Sequence, residues 1–423
     1  MILIKNGRVI DPLSKTDEVT DILIQNGKIV KIQKNIKSDQ KNINIIDASR
    51  MIVAPGLVDV HSHFRDPGFI YKEDILTGAE AAARGGYTTV VCMANTKPAA
   101  DNAETLDYIL RKAKDAKIEV LQVASITKGM NGLELTDMEK LKSAGAAGFS
   151  DDGKPIMNSS IALNAMKEAE KLNVPLSFHE EDPNLIKQNG INMGEIAKKL
   201  GLEGSPHEAE EVLVARDLVL AYRTGAKINI QHVSSGVSVD MIRFAKKFMN
   251  NVNAEATPHH FSLTEDDVLK YGTNAKMNPP LRTEEDRMKI IEGLKDNTLN
   301  IIATDHAPHA SCEKEKEFAS APSGIIGLET ALSLGITNLV RTGYLSMMEL
   351  IEKMTINPAV LYDIKRGFIK EGERADLVVF DPDKQWTAED FSSKSCNSPF
   401  KGMKLYGKVV KTISKGAIVY EGQ

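Results

Sequence analysis

Eight of the nine histidines in this chain sit at the ends of short apolar runs. His61 and His63 close LVDVHSH, His179 closes VPLSFHEE, and His232 closes KINIQHVSS. His259 and His260 end VNAEATPHH, and His306 and His309 end LNIIATDHAPH, while His207 alone falls in a helical stretch. In a strand, residues two apart point to the same side, so His61 and His63 can grip one Zn²⁺. His179 and His232 would each add an imidazole from a separate strand. Asp305 adds a carboxylate, which can ligate metal and also accept or return a proton. Imidazoles and carboxylates converging on a divalent cation suit metal-assisted hydrolysis.

Such residues converge only if the runs are parallel strands of one barrel. The strand candidates are 57–63, 88–95, 118–125, 146–152, 174–181, 227–235, 252–260 and 299–309. Amphipathic stretches such as 72–84, 159–172 and 207–223 separate them. Eight strands with helical spacers predict an α/β fold, a closed TIM-like (β/α)8 barrel rather than an open doubly wound sheet. No glycine-rich phosphate loop follows the first strand, as an open dinucleotide-binding sheet would require. A barrel carries its site at the C-terminal ends of its strands, which is where the histidines collect. Strand eight closes against strand one, so Asp305 would face His61 and His63 across that seam.

The two ends of the chain have a different texture. ILIKNGRVI, DILIQNGKIVKI and NINIID at the start, and ADLVVFD, KVVKTI and GAIVYEG at the end, are short β-branched runs. The first two carry Asn-Gly turn signals. We expect a small β-sandwich domain assembled from residues 1–53 and 367–423, with the barrel over 54–366. The net charge of −5, from 53 basic and 58 acidic residues, offers no basic footprint for nucleic acid or for a membrane surface. Cys92, Cys312 and Cys396 are far apart and form no CxxC pair. With no signal-peptide pattern in MILIKNGRVIDP and no membrane-length apolar run, the expectation is a cytoplasmic protein acting on a small molecule.

APGLVDVHSHFRDPG (54–68) resembles the HxH strand of the amidohydrolase superfamily, and its His-x-His-x-Arg-x-Pro-Gly form is similar to bacterial type I dihydroorotases. MANTKP (93–98), GFSDDG (148–153), HEE (179–181), HVSS (232–235), MNPPLR (277–282) and ATDHAPH (303–309) resemble that family's later strand-end motifs. NPAVLYDIKRGFIKEGERADLVVFD (357–381) is similar to the superfamily's return to its β domain, so the resemblance spans essentially the whole chain. It implies His61, His63, His179 and His232 as zinc ligands, with Asp305 both ligand and catalytic acid/base. It implies Arg65, Asn95 and His309 at the substrate carboxylate and Asn278 at the pyrimidine ring. His63 would also face substrate, and Ser323 and Gly324 in APSGIIG would line it through their backbone. Many superfamily members carry a bridging carboxylated lysine on strand four; GFSDDG has none at the strand end. The resemblance there is to the branch with an aspartate, Asp152, and it leaves one or two zinc ions open. Asp151, one residue earlier, would face the other way.

The implied reaction is the reversible cyclisation of N-carbamoyl-L-aspartate to (S)-dihydroorotate in pyrimidine biosynthesis. Arg65 would supply specificity, because a guanidinium fork binds a carboxylate at two points. Allantoinase or hydantoinase chemistry is the nearest alternative, and a non-catalytic partner of aspartate transcarbamoylase is another. The family also implies a homodimer and admits a complex with aspartate transcarbamoylase. The polar segment 310–324 follows strand eight, where a loop closing over substrate would sit.

Overall fold

The computed structural model describes residues 1–37 and 43–422. Asn42, the first residue of the expected strand NINIID, and Gln423, the end of the expected β domain, lie outside them. At the N-terminus, β1 (Ile2–Asp11), β2 (Thr16–Gln25), β3 (Lys28–Gln33), β4 (Asn44–Asp47) and β5 (Ile52–Pro55) precede the barrel. The barrel strands follow as β6 (Leu57–Ser62), β7 (Tyr87–Cys92), β8 (Glu119–Gln122), β9 (Phe149–Ser150), β10 (Leu176–Phe178), β11 (Ile228–Ile230), β12 (Val252–Ala256) and β13 (Ile301–Ile302). They fall within the eight segments read from the sequence, apart from the first residue of β7. Each neighbouring pair within β6–β8 and within β9–β13 is parallel. Parallel bridges Ala124↔Phe149 and Ser62↔His306 close the two arcs into one ring. Asp59 reinforces the second seam by accepting from Thr304 N at 2.9 Å and Thr304 Oγ1 at 2.7 Å.

The spacer helices follow from apolar spacing. In the helix Ser159–Leu172 the buried residues are Ala162, Ala165, Met166, Ala169 and Leu172, a single stripe at three- and four-residue steps. Asn158 caps its start and Asn173, at φ 50°, ends it. The helix expected over 72–84 begins only at Ile75, because the Asp74 side chain accepts from the Leu76 and Thr77 amides and fixes the cap there. Lys72 and Glu73 are thereby left in the loop above β6.

The strands of both termini join one mixed sheet, β16-β15-β14-β5-β1-β2-β3, with β4 also on β1; here β14 is Leu377–Thr387, β15 Lys404–Ser414 and β16 Ala417–Glu421. The join is β5 against β14, antiparallel, with Pro55 opposite Leu377. Period-two alternation divides the side chains of β14 between two cores. Leu377 and Val379 pack with Ile4, Ile22 and Ile413, whereas Val378 and Phe380 pack with the barrel. The Asn26-Gly27 signal makes the β2–β3 turn, but Asn6-Gly7 makes none: it is a bulge inside β1. There the Asn6 amide donates to Asp21 Oδ1 at 2.9 Å, and a Cβ on Gly7 would meet Val53 Cγ2 at 2.5 Å.

Candidate active site

The C-terminal ends of the barrel strands bring the expected residues together. His61 and His63 come from the end of β6, Asp152 from just past β9, His179 from past β10, His232 from past β11 and Asp305 from past β13. Arg65, His232 and Asp305 all have positive φ, at 59°, 34° and 47°. Non-glycine residues in that region mark strain held by the surrounding structure, and such residues cluster at functional sites.

Two donor groups share Asp152. His61, His63 and Asp152 form one, and Asp152, His179 and His232 the other, each with its ligand atoms within 4.8 Å of one another. Asp152 Oδ1 lies 3.3 Å from His61 Nε2 and 3.6 Å from both His179 Nδ1 and His232 Nε2. Asp305 Oδ1 is 3.0 Å from His63 Nε2 and 3.5 Å from His61 Nε2. Asp152 Oδ1 is buried and accepts no hydrogen bond among the described residues. A buried carboxylate oxygen without a donor, ringed by imidazole nitrogens, fits a divalent cation.

Electrostatics point the same way. Burial alone would raise the Asp152 carboxyl, but the His61 charge and the close His179 and His232 imidazoles hold it well below the usual range. Asp305 is likewise lowered against its burial, by His61 and His63. Burial disfavours the charged form of His61, yet Asp152, Glu255 and Asp305 together raise it well above an ordinary imidazole. The carboxylates of Asp152 and Glu181 take His179 to about 10 despite its burial. A cation bound there would compete with protons for these imidazoles.

Asp151 is turned away from this cluster. Its carboxylate accepts from the amides of Ile126 at 2.7 Å and Thr127 at 3.1 Å, anchoring the chain after β8. Among the other histidines, burial lowers His259 to about 4, and His260 bridges Thr257 Oγ1 and the Pro279 carbonyl. Neither lines the cavity. His207 pairs with Asp286 on the barrel's flank, at 2.9 Å.

The cavity above the donors holds about 180 Å³ and is lined by Arg65, Asn95, Asn278, His309, Ser323 and Gly324, together with the metal-site side chains other than His61. Arg65 Nη2 lies 3.5 Å from His309 Nε2, and its Nε donates to the Pro308 carbonyl at 3.3 Å. His309 donates from Nε2 to Ser323 O at 2.9 Å, while Lys72 Nζ approaches its Nδ1 at 3.1 Å. Burial and the neighbouring Arg65 and Lys72 charges lower His309 to about 2, so it is neutral at physiological pH. Asn278 Oδ1 is buried with no hydrogen-bond partner among the described residues, which leaves it for a ligand. Gly324, at φ 121°, has no room for a side chain: a Cβ would meet Ala307 Cβ at 2.7 Å. Asn95 does more than line the cavity. Its Oδ1 lies 2.9 Å from His63 Nδ1 and its Nδ2 donates to Asp152, so it orients two metal-site residues.

Sequence reasoning missed three contributors. Glu255 on β12 accepts from His61 Nδ1 at 2.9 Å and from Asn229 Nδ2 at 2.6 Å. Lys72 braces His309, and Asn397 reaches the same loop from the β14–β15 connection. The acidic residue within a strand run was a visible signal for Glu255; nothing local marked the other two. A larger groove of about 830 Å³ lies between the helices Glu208–Thr224 and Gly236–Ala245, but its walls are largely apolar and it lies apart from the metal donors. The titratable groups converge in the smaller, polar cavity, which is the arrangement expected of an active site.

Residues 49–238 match the dihydro-orotase-like family model. The chain is 63% identical to the dihydroorotase of Clostridioides difficile over 420 residues, 99% of this chain and all of that one. The chain belongs to the dihydroorotase family. It is also 61% identical to the Clostridium acetobutylicum dihydroorotase, with both chains fully covered. Among solved structures, L-hydantoinase (dihydropyrimidinase) from Arthrobacter aurescens superposes with a TM-score of 0.88 at 26% identity, covering 99% of this chain and 96% of its own. Dihydropyrimidinase from Brevibacillus agri gives 0.85 at 23% identity, with 99% and 95% covered, and shares the fold. The amidohydrolase barrel is thus common to these enzymes, while the dihydroorotase relatives match this chain from end to end.

Proposed function

We infer that this enzyme interconverts N-carbamoyl-L-aspartate and (S)-dihydroorotate, the dihydroorotase reaction of pyrimidine biosynthesis. The observation that carries this reading is Arg65 beside His309, on the rim of a small polar cavity floored by metal donors. A cyclic amide without an acid substituent has no use for a guanidinium there. The full-length likeness to dihydroorotases supports the same substrate.

His61, His63, His179, His232, Asp152 and Asp305 would hold zinc, and Asp152, shared by both donor groups, favours two ions over one. Bound zinc would make water a nucleophile near neutral pH and polarise the amide carbonyl. In the hydrolytic direction water adds to the ring amide carbon and the C–N bond breaks. Asp305 carries the proton from water to the leaving nitrogen, and cyclisation reverses the path. Arg65, Asn95 and His309 would hold the substrate carboxylate and Asn278 the ring, while the backbone of Ser323 and Gly324 closes the side of the pocket. His309, neutral, serves as a hydrogen-bonding group rather than a second charge.

We further propose that residues 1–53 and 367–423 form a supporting β domain on the 54–366 barrel, and that the enzyme is a cytoplasmic homodimer able to associate with aspartate transcarbamoylase. Among the described residues no helix is long and apolar enough to cross a membrane. Exposed Tyr222 and Phe244 on the outer helices, and Phe248 in the turn that follows, are consistent with a protein partner. The fold likeness to hydantoinases keeps a broader cyclic amidase as the second reading. A zinc count paired with rates on dihydroorotate, carbamoyl aspartate, allantoin and dihydrouracil decides between them. Preference for the first two with bound zinc is expected; a metal-free, inactive chain after zinc supplementation overturns the assignment.

A further inference from the structure

The connection between β14 and β15 leaves the terminal sheet and runs back over the barrel mouth. Its residues Ser393, Ser395, Asn397 and Ser398 are buried although they are polar. Ser393 Oγ bonds Glu73, and Ser395 Oγ donates to the Lys72 carbonyl at 2.8 Å. Asn397, only 3% exposed, sits between the two segments that carry the far wall of the cavity. Its Oδ1 accepts from the His309 amide at 3.1 Å. Its Nδ2 donates to Ala307 O at 3.1 Å and to Gly324 O at 3.0 Å, and its carbonyl accepts from the Ile326 amide at 3.0 Å. One amide oxygen meets one donor, and one amide nitrogen meets two carbonyls, so the orientation of this side chain is determined by its partners.

We propose that Asn397 is a positioning residue for substrate binding, setting the distance between His309 and Gly324 from outside the barrel. It does not line the cavity. The segment 307–309 presents His309 to Arg65, and the segment 323–326 presents the Ser323 and Gly324 backbone to the same space. Within the barrel these segments also meet through the Ala307 amide on Ile325 O at 2.7 Å and through His309 on Ser323 O. Lys314 Nζ shares the Gly324 carbonyl, but among the described hydrogen bonds Asn397 is the side chain that holds the His309 amide and the Ala307 carbonyl. Ser395 secures the Lys72 backbone, and Lys72 in turn approaches His309 Nδ1, so the same connection braces both members of that pair. A terminal-sheet segment thereby shapes the substrate pocket without contributing to the metal donors.

The proposal rests on the reading of this cavity as the carboxylate site, and its test separates the two. Asn397→Ala and Asn397→Asp are compared with the wild-type chain for KM and kcat on dihydroorotate, for zinc content, and for amide exchange. For Asn397→Ala, KM should rise about tenfold while kcat changes less than about threefold and zinc content stays constant, because misplacement of pocket groups weakens binding first. Asn397→Asp keeps the acceptor for His309 but sets an oxygen against two carbonyls, and KM should rise at least as far. Should either variant fold poorly, Ser395→Ala should move KM in the same direction by a smaller factor. The amides of Ala307 and His309 and of 324–326 should exchange faster in Asn397→Ala whatever the substrate proves to be. An unchanged KM with unchanged exchange, or a fall in kcat with KM constant, overturns the proposal. Failure of the wild-type chain to turn over dihydroorotate overturns the substrate reading instead.

Discussion

Glu255 Oε2 lies 2.9 Å from His61 Nδ1, and both side chains are fully buried. Gln231 Nε2 is 3.2 Å from the same Nδ1, but it is a donor and cannot take the ring proton's hydrogen bond, whereas the carboxylate can. His61 therefore keeps its proton on Nδ1 and turns Nε2 toward Asp152 and Asp305. A partner of this kind fixes the tautomer and raises the basicity of a metal-ligating histidine. Glu255→Gln preserves shape but removes the charge. We expect zinc affinity, measured by chelator competition, to fall roughly 10–100-fold. Equal affinity in variant and wild type would show that Glu255 acts only in packing.

Arg65 is the group that separates an acidic substrate from a neutral one. Two charge-assisted hydrogen bonds at about 1.5–3 kcal/mol each justify an expected loss of ~10²-fold or more in kcat/KM for dihydroorotate in Arg65→Met. Dihydrouracil, which lacks the carboxylate, should show little change. Arg65→Lys should recover part of the loss, since it restores charge without the fork. Parallel losses on both substrates would remove Arg65 from the carboxylate site.

The loop 310–324 is tethered by two lysines. Lys276 Nζ donates to Phe318 O at 2.6 Å and Ala321 O at 2.7 Å, and Lys314 Nζ to Pro322 O at 2.9 Å and Gly324 O at 3.0 Å. Between these tethers Glu315, Lys316 and Glu317 are exposed. Trypsin should cut after Lys316 more slowly when carbamoyl aspartate is present, and faster in Lys314→Met than in wild type. Cleavage indifferent to both ligand and substitution would count against closure of this loop over substrate.

The sequence made the barrel strands and most cavity residues legible because each lies at a strand end, where short motifs and period-two alternation carry the information. Glu255 stands out as an acid within a strand run, but its role shows only when the fold brings it to His61, nearly two hundred residues away in the chain. Asn397 was invisible because its role depends on a long connection folding back from another sheet. The amphipathic spacing carries the helix back to Lys72, and only the Asp74 cap leaves that residue in the loop beside His309. The positive φ of Arg65, His232 and Asp305 is set by tertiary contacts and has no composition signal.

Asp286 ties two helices together away from the metal site. Its Oδ1 accepts from the Gly236 amide at 2.9 Å, at the start of the helix Gly236–Ala245. Its Oδ2 accepts from His207 Nε2 at 2.9 Å, from Thr283 Oγ1 at 2.6 Å and from the Thr283 amide at 3.2 Å, the last completing the capping box of the helix Glu284–Lys295. Burial opposes the charged form, but these bonds prevail and lower the carboxyl to about 2. A carboxylate depressed in the folded state stabilises above its unfolded pKa, and that stability is lost as pH falls through the folded value. The contribution is on the order of 2 kcal/mol near neutrality. In urea titrations at pH 7, Asp286→Asn should be less stable than wild type by about 1–2 kcal/mol, because the amide keeps one acceptor but loses the charge. The gap between the two proteins should narrow from about pH 4 down to about pH 2, as the wild-type carboxyl takes up its proton. A gap that is constant across that range would assign the loss to packing rather than to the Asp286 charge.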